Sequence, residues 1–134
     1  MNLVAIVLAA GHARRFGGGK LAAIYRGEPL LTHALKAAQA APIDRVVVIA
    51  RPDLLLPDGV EAIRVKNDAM SDSLRAGVAA AQGSDGAFVF LADMPRVPHG
   101  IAGQLASALD GNYAAFPVCD GRQGHPVLFA ARAF

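Results

Sequence analysis

The chain has 134 residues, of which 54% are hydrophobic and 18% charged, with a formal net charge of +2. That balance excludes a disordered chain, and the longest apolar run, residues 3–10, is too short to span a bilayer as a helix. The Lys and Arg residues form no long block, which argues against a nucleic-acid partner and leaves only a local basic cluster at Arg14, Arg15, Lys20 and Arg26, better suited to a small anion.

Residues 3–9 are a continuous apolar run rich in branched side chains, the pattern of a strand buried on both faces of a parallel sheet. Residues 11–20 read as a loop. Pro29 opens a helix in which Leu31, Ala34, Leu35 and Ala38 recur at helical spacing, and Pro42 closes it. Residues 45–50 form a second buried-type strand and 60–65 a weaker third. Ser71 is placed to cap a helix with Leu74, Val78 and Ala81 on its inner side and Gly83 just past its end.

Residues 87–92 are a fourth strand, stopped by Asp93-Met94-Pro95. Pro98 starts a helix carrying Ile101, Leu105, Ala108 and Leu109. A strand over 113–118, a turn-like loop over 119–124 and a short strand over 126–129 follow, and Phe134 falls at the start of a further helix. Strands alternating with helices predict one α/β domain over 1–134 with a mainly parallel sheet. A sheet of this kind normally continues, so the domain is expected to be incomplete at its C-terminus.

Ligands of open α/β sheets collect beyond the carboxyl ends of the strands. Two segments fall there. The stretch 11–20 has four glycines within its first nine residues, which lets backbone amides turn toward an anion, and Arg15 and Lys20 add charge. It is neither a P-loop, since Leu21 follows Lys20, nor a Gly-x-Gly-x-x-Gly fingerprint. A solvated basic surface loop is the competing reading. Asp93 ends a buried strand and suits Mg²⁺, which takes one or two carboxylates plus substrate phosphates; a turn-capping Asp is the alternative.

Leu8-Ala9-Ala10-Gly11, followed by Arg15-Phe16-Gly17 and Lys20, resembles the signature loop of the MobA-like NTP transferases, and most closely their molybdenum cofactor cytidylyltransferase (MocA) branch. Three further stretches are similar in order and spacing: Met70-Ser71-Asp72-Ser73-Leu74-Arg75-Ala76-Gly77, Leu91-Ala92-Asp93-Met94-Pro95, and Gly121-Arg122-Gln123-Gly124-His125-Pro126-Val127-Leu128-Phe129. The sequence departs from the pattern at Ala13, where a small hydroxyl residue is usual, and at Ala69, where a Gly is usual. Family members also continue past the position of Phe134.

The resemblance implies a Rossmann-like three-layer α/β/α nucleotidyltransferase fold. It implies transfer of a nucleoside monophosphate, CMP favoured, from an NTP to the phosphate of molybdopterin or molybdenum cofactor, with release of pyrophosphate. Leu8, Ala10, Gly11, Arg15, Gly17, Lys20 and Ser73 would bind the nucleotide, Arg15, Lys20 and Asp93 would serve the reaction, and Asp93 would hold Mg²⁺. His125 is the candidate for the acceptor; a His bonded to backbone is the plainer reading, as helix capping is for Ser73. A molybdoenzyme or its maturation chaperone is the implied protein partner. Guanylyl transfer, another nucleotidyl transfer and a non-catalytic nucleotide-binding remnant stand as alternatives.

Cys119, the single cysteine, has no intramolecular disulfide partner, and Met1-Asn2-Leu3 lacks the basic start of a signal peptide. Both features lead to the expectation of a cytoplasmic protein with no membrane partner.

Overall fold

The computed structural model describes residues 2–10, 24–52, 54, 56, 60–66, 70–92, 100–119 and 121–134. Its centre is a six-stranded sheet. In chain order, β1 is Leu3–Ala9, β2 Ile24–Tyr25, β3 Glu28–Pro29, β4 Arg45–Ala50, β5 Glu61–Arg64, β6 Gly86–Leu91, β7 Ala114–Ala115, β8 Val118–Cys119, β9 Arg122–Gln123 and β10 Val127–Ala130. The helices are α1 Leu30–Gln39, α2 Met70–Ala80 and α3 Ile101–Leu109. The large sheet runs β5-β4-β1-β6-β10-β7, while β2 with β3 and β8 with β9 form two small hairpins. Strands β5, β4, β1 and β6 are parallel; β10 is antiparallel to both β6 and β7. The mainly parallel α/β fold is therefore present.

Strand β1 lies between β4 and β6 and is buried along its whole length, which is why its sequence is apolar without alternation. Its two faces feed separate cores. Leu3, Ala5, Val7 and Ala9 pack with α1 residues Leu31, Ala34, Leu35 and Ala38 and α3 residues Ala102, Leu105 and Leu109. Val4, Ile6 and Leu8 face the other layer with Val47, Ile49, Val89 and the α2 residues Leu74, Ala76 and Ala80. That arrangement is three layers, α/β/α.

All four inward positions expected of α1 are buried. The inner stripe of α2 is centred on Ser73 and Gly77, with Ala81 just beyond the helix, while Leu74 and Val78 lie half-buried beside it. A Cβ at Gly77 would lie 2.6 Å from Ile6 Cγ2, so glycine lets α2 sit close on β1. Gly83 follows with φ of +89°, a backbone that favours glycine.

Five local expectations differ. Ser71 is the second residue of α2 rather than its cap, because the helix already includes Met70. Ala108 is exposed, and Ala102 takes the inner position of α3 instead. The single strand expected over 113–118 divides into β7 and the start of β8. Pro117, which has no N–H to give a ladder, lies between them, and its carbonyl accepts from Gly124 N at 2.8 Å. The expected loop over 119–124 is thus largely the β8–β9 hairpin. At the end, Ala131–Ala133 form a single 3-10 turn.

Exposed ion pairs tie elements at the periphery. Arg45 on β4 grips Glu61 on β5 through two nitrogens, and its Nη1 donates to the Ala80 carbonyl at the end of α2 at 2.9 Å. Arg45 holds Glu61 below the usual carboxylate range, chiefly by that hydrogen bond. Among the described residues, no helix is long and apolar enough to cross a membrane.

Candidate functional site

Strand order reverses between β1 and β6: β4 and β5 lie on one side of β1, and β6 starts the other side. The carboxyl ends of β1 and β6 are level, with Leu8 opposite Leu91. Ala92 N donates to the Leu8 carbonyl at 3.1 Å, which extends the pairing one residue past β6. Ala10 and Ala92 are both buried, so the chain leaves both strands from the interior of one sheet edge. The next residues in sequence are Gly11, which begins the glycine-rich segment, and Asp93.

Gly11, Arg15, Gly17, Lys20 and Asp93 themselves lie outside the described residues. What the structure places is the frame from which they depart: two adjacent parallel strands at a topological switch point, where open α/β sheets bind ligands. The first and fourth strands of the sequence reading, β1 and β6, are neighbours.

Of the remaining expected nucleotide residues, Leu8 is buried and Ala10 is wholly buried. Ser73 is in the first turn of α2, 1% exposed, and its Oγ has no hydrogen-bond partner among the described residues. Simple helix capping does not account for it, since a capping hydroxyl would hold a backbone N–H. Arg75, two residues on, is exposed.

A cavity of about 280 Å³ opens on the α2 face of the sheet, lined by Leu8, Leu74, Leu91, Val127 and Phe129 among others, with Gln123 and His125 as its polar members. The register of β10 explains why His125 is there. Val127 pairs with Val89, and antiparallel running brings the residues before Val127 toward the carboxyl end of β6. His125 is half-buried and engaged in interactions of its own. The structure thus brings His125 to the same sheet edge as Leu8 and Ala92.

Sequence reasoning passed over Gln123 and Arg51. Gln123 lines the cavity from β9, a strand only two residues long and too short to carry a periodic signal. Arg51 directly follows β4, whose last residue Ala50 pairs with Ala9 of β1. Its sequence context, a charge after a strand, marks it no more than any surface residue.

Among the described residues, no group of three or more His, Cys, Asp or Glu could hold a metal. Mg²⁺ in phosphate chemistry needs no such group, because one or two carboxylates and the substrate's own oxygens complete its shell. A single acid after β6 fits that donor set.

The chain is 28% identical to the purine catabolism protein PucB of Bacillus subtilis strain 168, in an alignment covering 98% of this chain and 72% of PucB. It is 34% identical to a probable molybdenum cofactor guanylyltransferase of Thermococcus kodakarensis, over 69% of this chain and 47% of that protein. Among solved structures, Rv0371c of Mycobacterium tuberculosis H37Rv, crystallised in complex with manganese, superposes with a TM-score of 0.82 at 22% identity; the match covers 97% of this chain and 71% of that one. Residues 5–134 match the MobA-like NTP transferase domain. The chain therefore belongs to the MobA-like NTP transferase family.

Proposed function

We propose that the protein transfers a nucleoside monophosphate, CMP in preference to GMP, from an NTP to the phosphate of molybdopterin or molybdenum cofactor, releasing pyrophosphate. The observation that carries this reading is the pairing of β1 with β6. It ends β1 and β6, the strands that precede the glycine-rich segment and Asp93 in sequence, at one common sheet edge.

In the proposed reaction an oxygen of the acceptor phosphate forms a bond to the α-phosphorus of the NTP. The bond between that phosphorus and the α,β-bridging oxygen breaks, and pyrophosphate leaves with the electron pair. A phosphate monoester has a second pKa near 6, so the attacking oxygen is already largely anionic at neutral pH and needs little general-base help. The work left to the protein is positioning and charge neutralisation. Arg15 and Lys20 steady the leaving pyrophosphate, and backbone amides near Gly11 and Gly17 hold the phosphates. Asp93 would hold Mg²⁺, which when bound supplies neutralisation of phosphate charge. Ser73 offers a buried hydroxyl to the nucleotide, and His125 meets the acceptor at the cavity wall.

Cytidylyl transfer is favoured by the Met70 to Leu74 and Gly124 to Phe129 stretches. Guanylyl transfer is the second reading, and the Thermococcus relative favours it. Pyrophosphate release from CTP, GTP and ATP, each with molybdenum cofactor and Mg²⁺, tests the proposal. The expected order is CTP above GTP, with ATP near background. No cofactor-dependent release from any of the three would overturn it.

A further inference from the structure

We infer that Arg51 reads the base of the nucleotide, which makes it a specificity-determining residue; the inference rests on the proposed NTP site. Arg51 follows the last residue of β4, and β4 is the strand beside β1 on the side away from β6. Neighbouring strands are about 4.8 Å apart, so an arginine leaving β4 at this edge is within side-chain reach of a ligand seated over the end of β1.

Its backbone is held in place. Arg64 Nη1 donates to the carbonyls of both Arg51 and Leu54, at 2.8 Å and 2.6 Å, and Leu54 N donates to the Arg51 carbonyl at 3.2 Å. The guanidinium is a different matter. Its Nη1 is buried and has no hydrogen-bond partner among the described residues. Arg51 as a whole is half-buried, but a buried donor nitrogen without an acceptor is itself costly, and folded proteins rarely keep one unless a partner arrives. Arg51 thus stands on the β4 side of the β1 exit, and the cavity that His125 lines lies on the β6 side.

The chemistry of the group limits what it can read. Guanidinium only donates, and it donates in pairs. Guanine offers the adjacent acceptors O6 and N7, and cytosine the adjacent acceptors O2 and N3. On the corresponding edges adenine and uracil set a donor beside each acceptor. Arg51 therefore favours cytosine and guanine nucleotides over adenine and uracil ones, in keeping with either reading of the transferase.

The test is calorimetric titration of the whole protein and its Arg51→Met and Arg51→Lys variants with CTP, GTP, ATP, UTP and inorganic tripolyphosphate in Mg²⁺. The expected result is a loss of about tenfold or more in CTP or GTP affinity with Arg51→Met. ATP and UTP affinities stay nearly unchanged, so discrimination collapses, and tripolyphosphate binding is unaffected. Arg51→Lys recovers only part of the loss. Equal weakening of tripolyphosphate would overturn the inference in favour of a phosphate contact. A lowered melting temperature with unchanged discrimination would overturn it in favour of a structural ion pair. If the unmodified protein binds no NTP, the underlying transferase reading fails; if it binds NTPs and Arg51→Met binds them identically, only the role of Arg51 fails.

Discussion

Replacing Gly77 by alanine tests whether one close helix–strand contact sets the seat of α2, and with it the position of Ser73. The added Cβ would lie 2.6 Å from Ile6 Cγ2 and 3.2 Å from Ile6 Cδ1. Carbon atoms attract best at about 3.5–4.0 Å, so the groups must part by roughly 1 Å. Ile6 has little freedom to yield, being wholly buried on a strand paired along both edges. Overpacking a filled core costs about 1–3 kcal/mol, and replacing a helical glycine returns about 0.8–1 kcal/mol. A contact this short puts the cost toward the upper end, leaving a net destabilisation of about 1–2 kcal/mol. Gly103→Ala in α3 is the matched control, because that position is exposed and an added Cβ meets nothing within 4 Å. Only the propensity gain operates there, and the variant should be stabilised by about 0.5–1 kcal/mol. Urea unfolding followed by circular dichroism reads both signs. Gly77→Ala at or above wild-type stability, beside a stabilised Gly103→Ala, would refute the reasoning.

Three further outcomes are expected. Ser73→Ala removes a buried hydroxyl that lacks a partner among the described residues, so melting temperature should hold or rise while NTP affinity falls about tenfold; lower stability with unchanged binding contradicts a ligand role. Arg15→Ala and Lys20→Ala should each weaken triphosphate binding by about 1.5–3 kcal/mol and leave nucleoside binding intact, and equal losses for both ligands by calorimetry would remove the phosphate assignment. Glu61 is held below its ordinary pKa by Arg45, so the pair's contribution is complete above the ordinary glutamate value and disappears as pH falls through the lowered folded one. Both side chains are more than 40% exposed, which limits the contribution to under about 1 kcal/mol. Glu61→Gln should accordingly cost a few tenths of that at pH 7 and nothing in strong acid; a cost that grows on acidification would reverse the sign.

Strands that are buried on both faces were legible because nothing but apolar residues fits there, and β1 and β4 begin and end where their runs do. Helix α1 was equally plain, since one face packs and the other does not. The region after Asn112 was harder to read. Its strands are two to four residues long, and Pro117 interrupts an apolar run whose composition still reads as one strand. The first turn of α2 shows a different limit: Ser71 has a capping side chain, yet the helix starts at Met70, two residues before a Ser71 cap would start it, with Gly77 close against β1. Within the site, Leu8, Ser73 and His125 could be named from motifs. Arg51 could not, because what distinguishes it is a buried nitrogen without an acceptor among the described residues, a property of the tertiary surroundings alone.

The central claim is that NTP chemistry takes place where β1 and β6 end side by side, with Asp93 serving it. Transfer of an α-phosphate label from CTP to molybdenum cofactor, by the wild type and by Asp93→Ala in the presence of Mg²⁺, measures this most directly. The account predicts labelled acceptor and an equal amount of pyrophosphate with the wild type. With Asp93→Ala it predicts no labelled acceptor from a protein that unfolds at the wild-type temperature. Transfer by Asp93→Ala at the wild-type rate would contradict it, as would wild-type cleavage that releases the γ-phosphate in place of pyrophosphate.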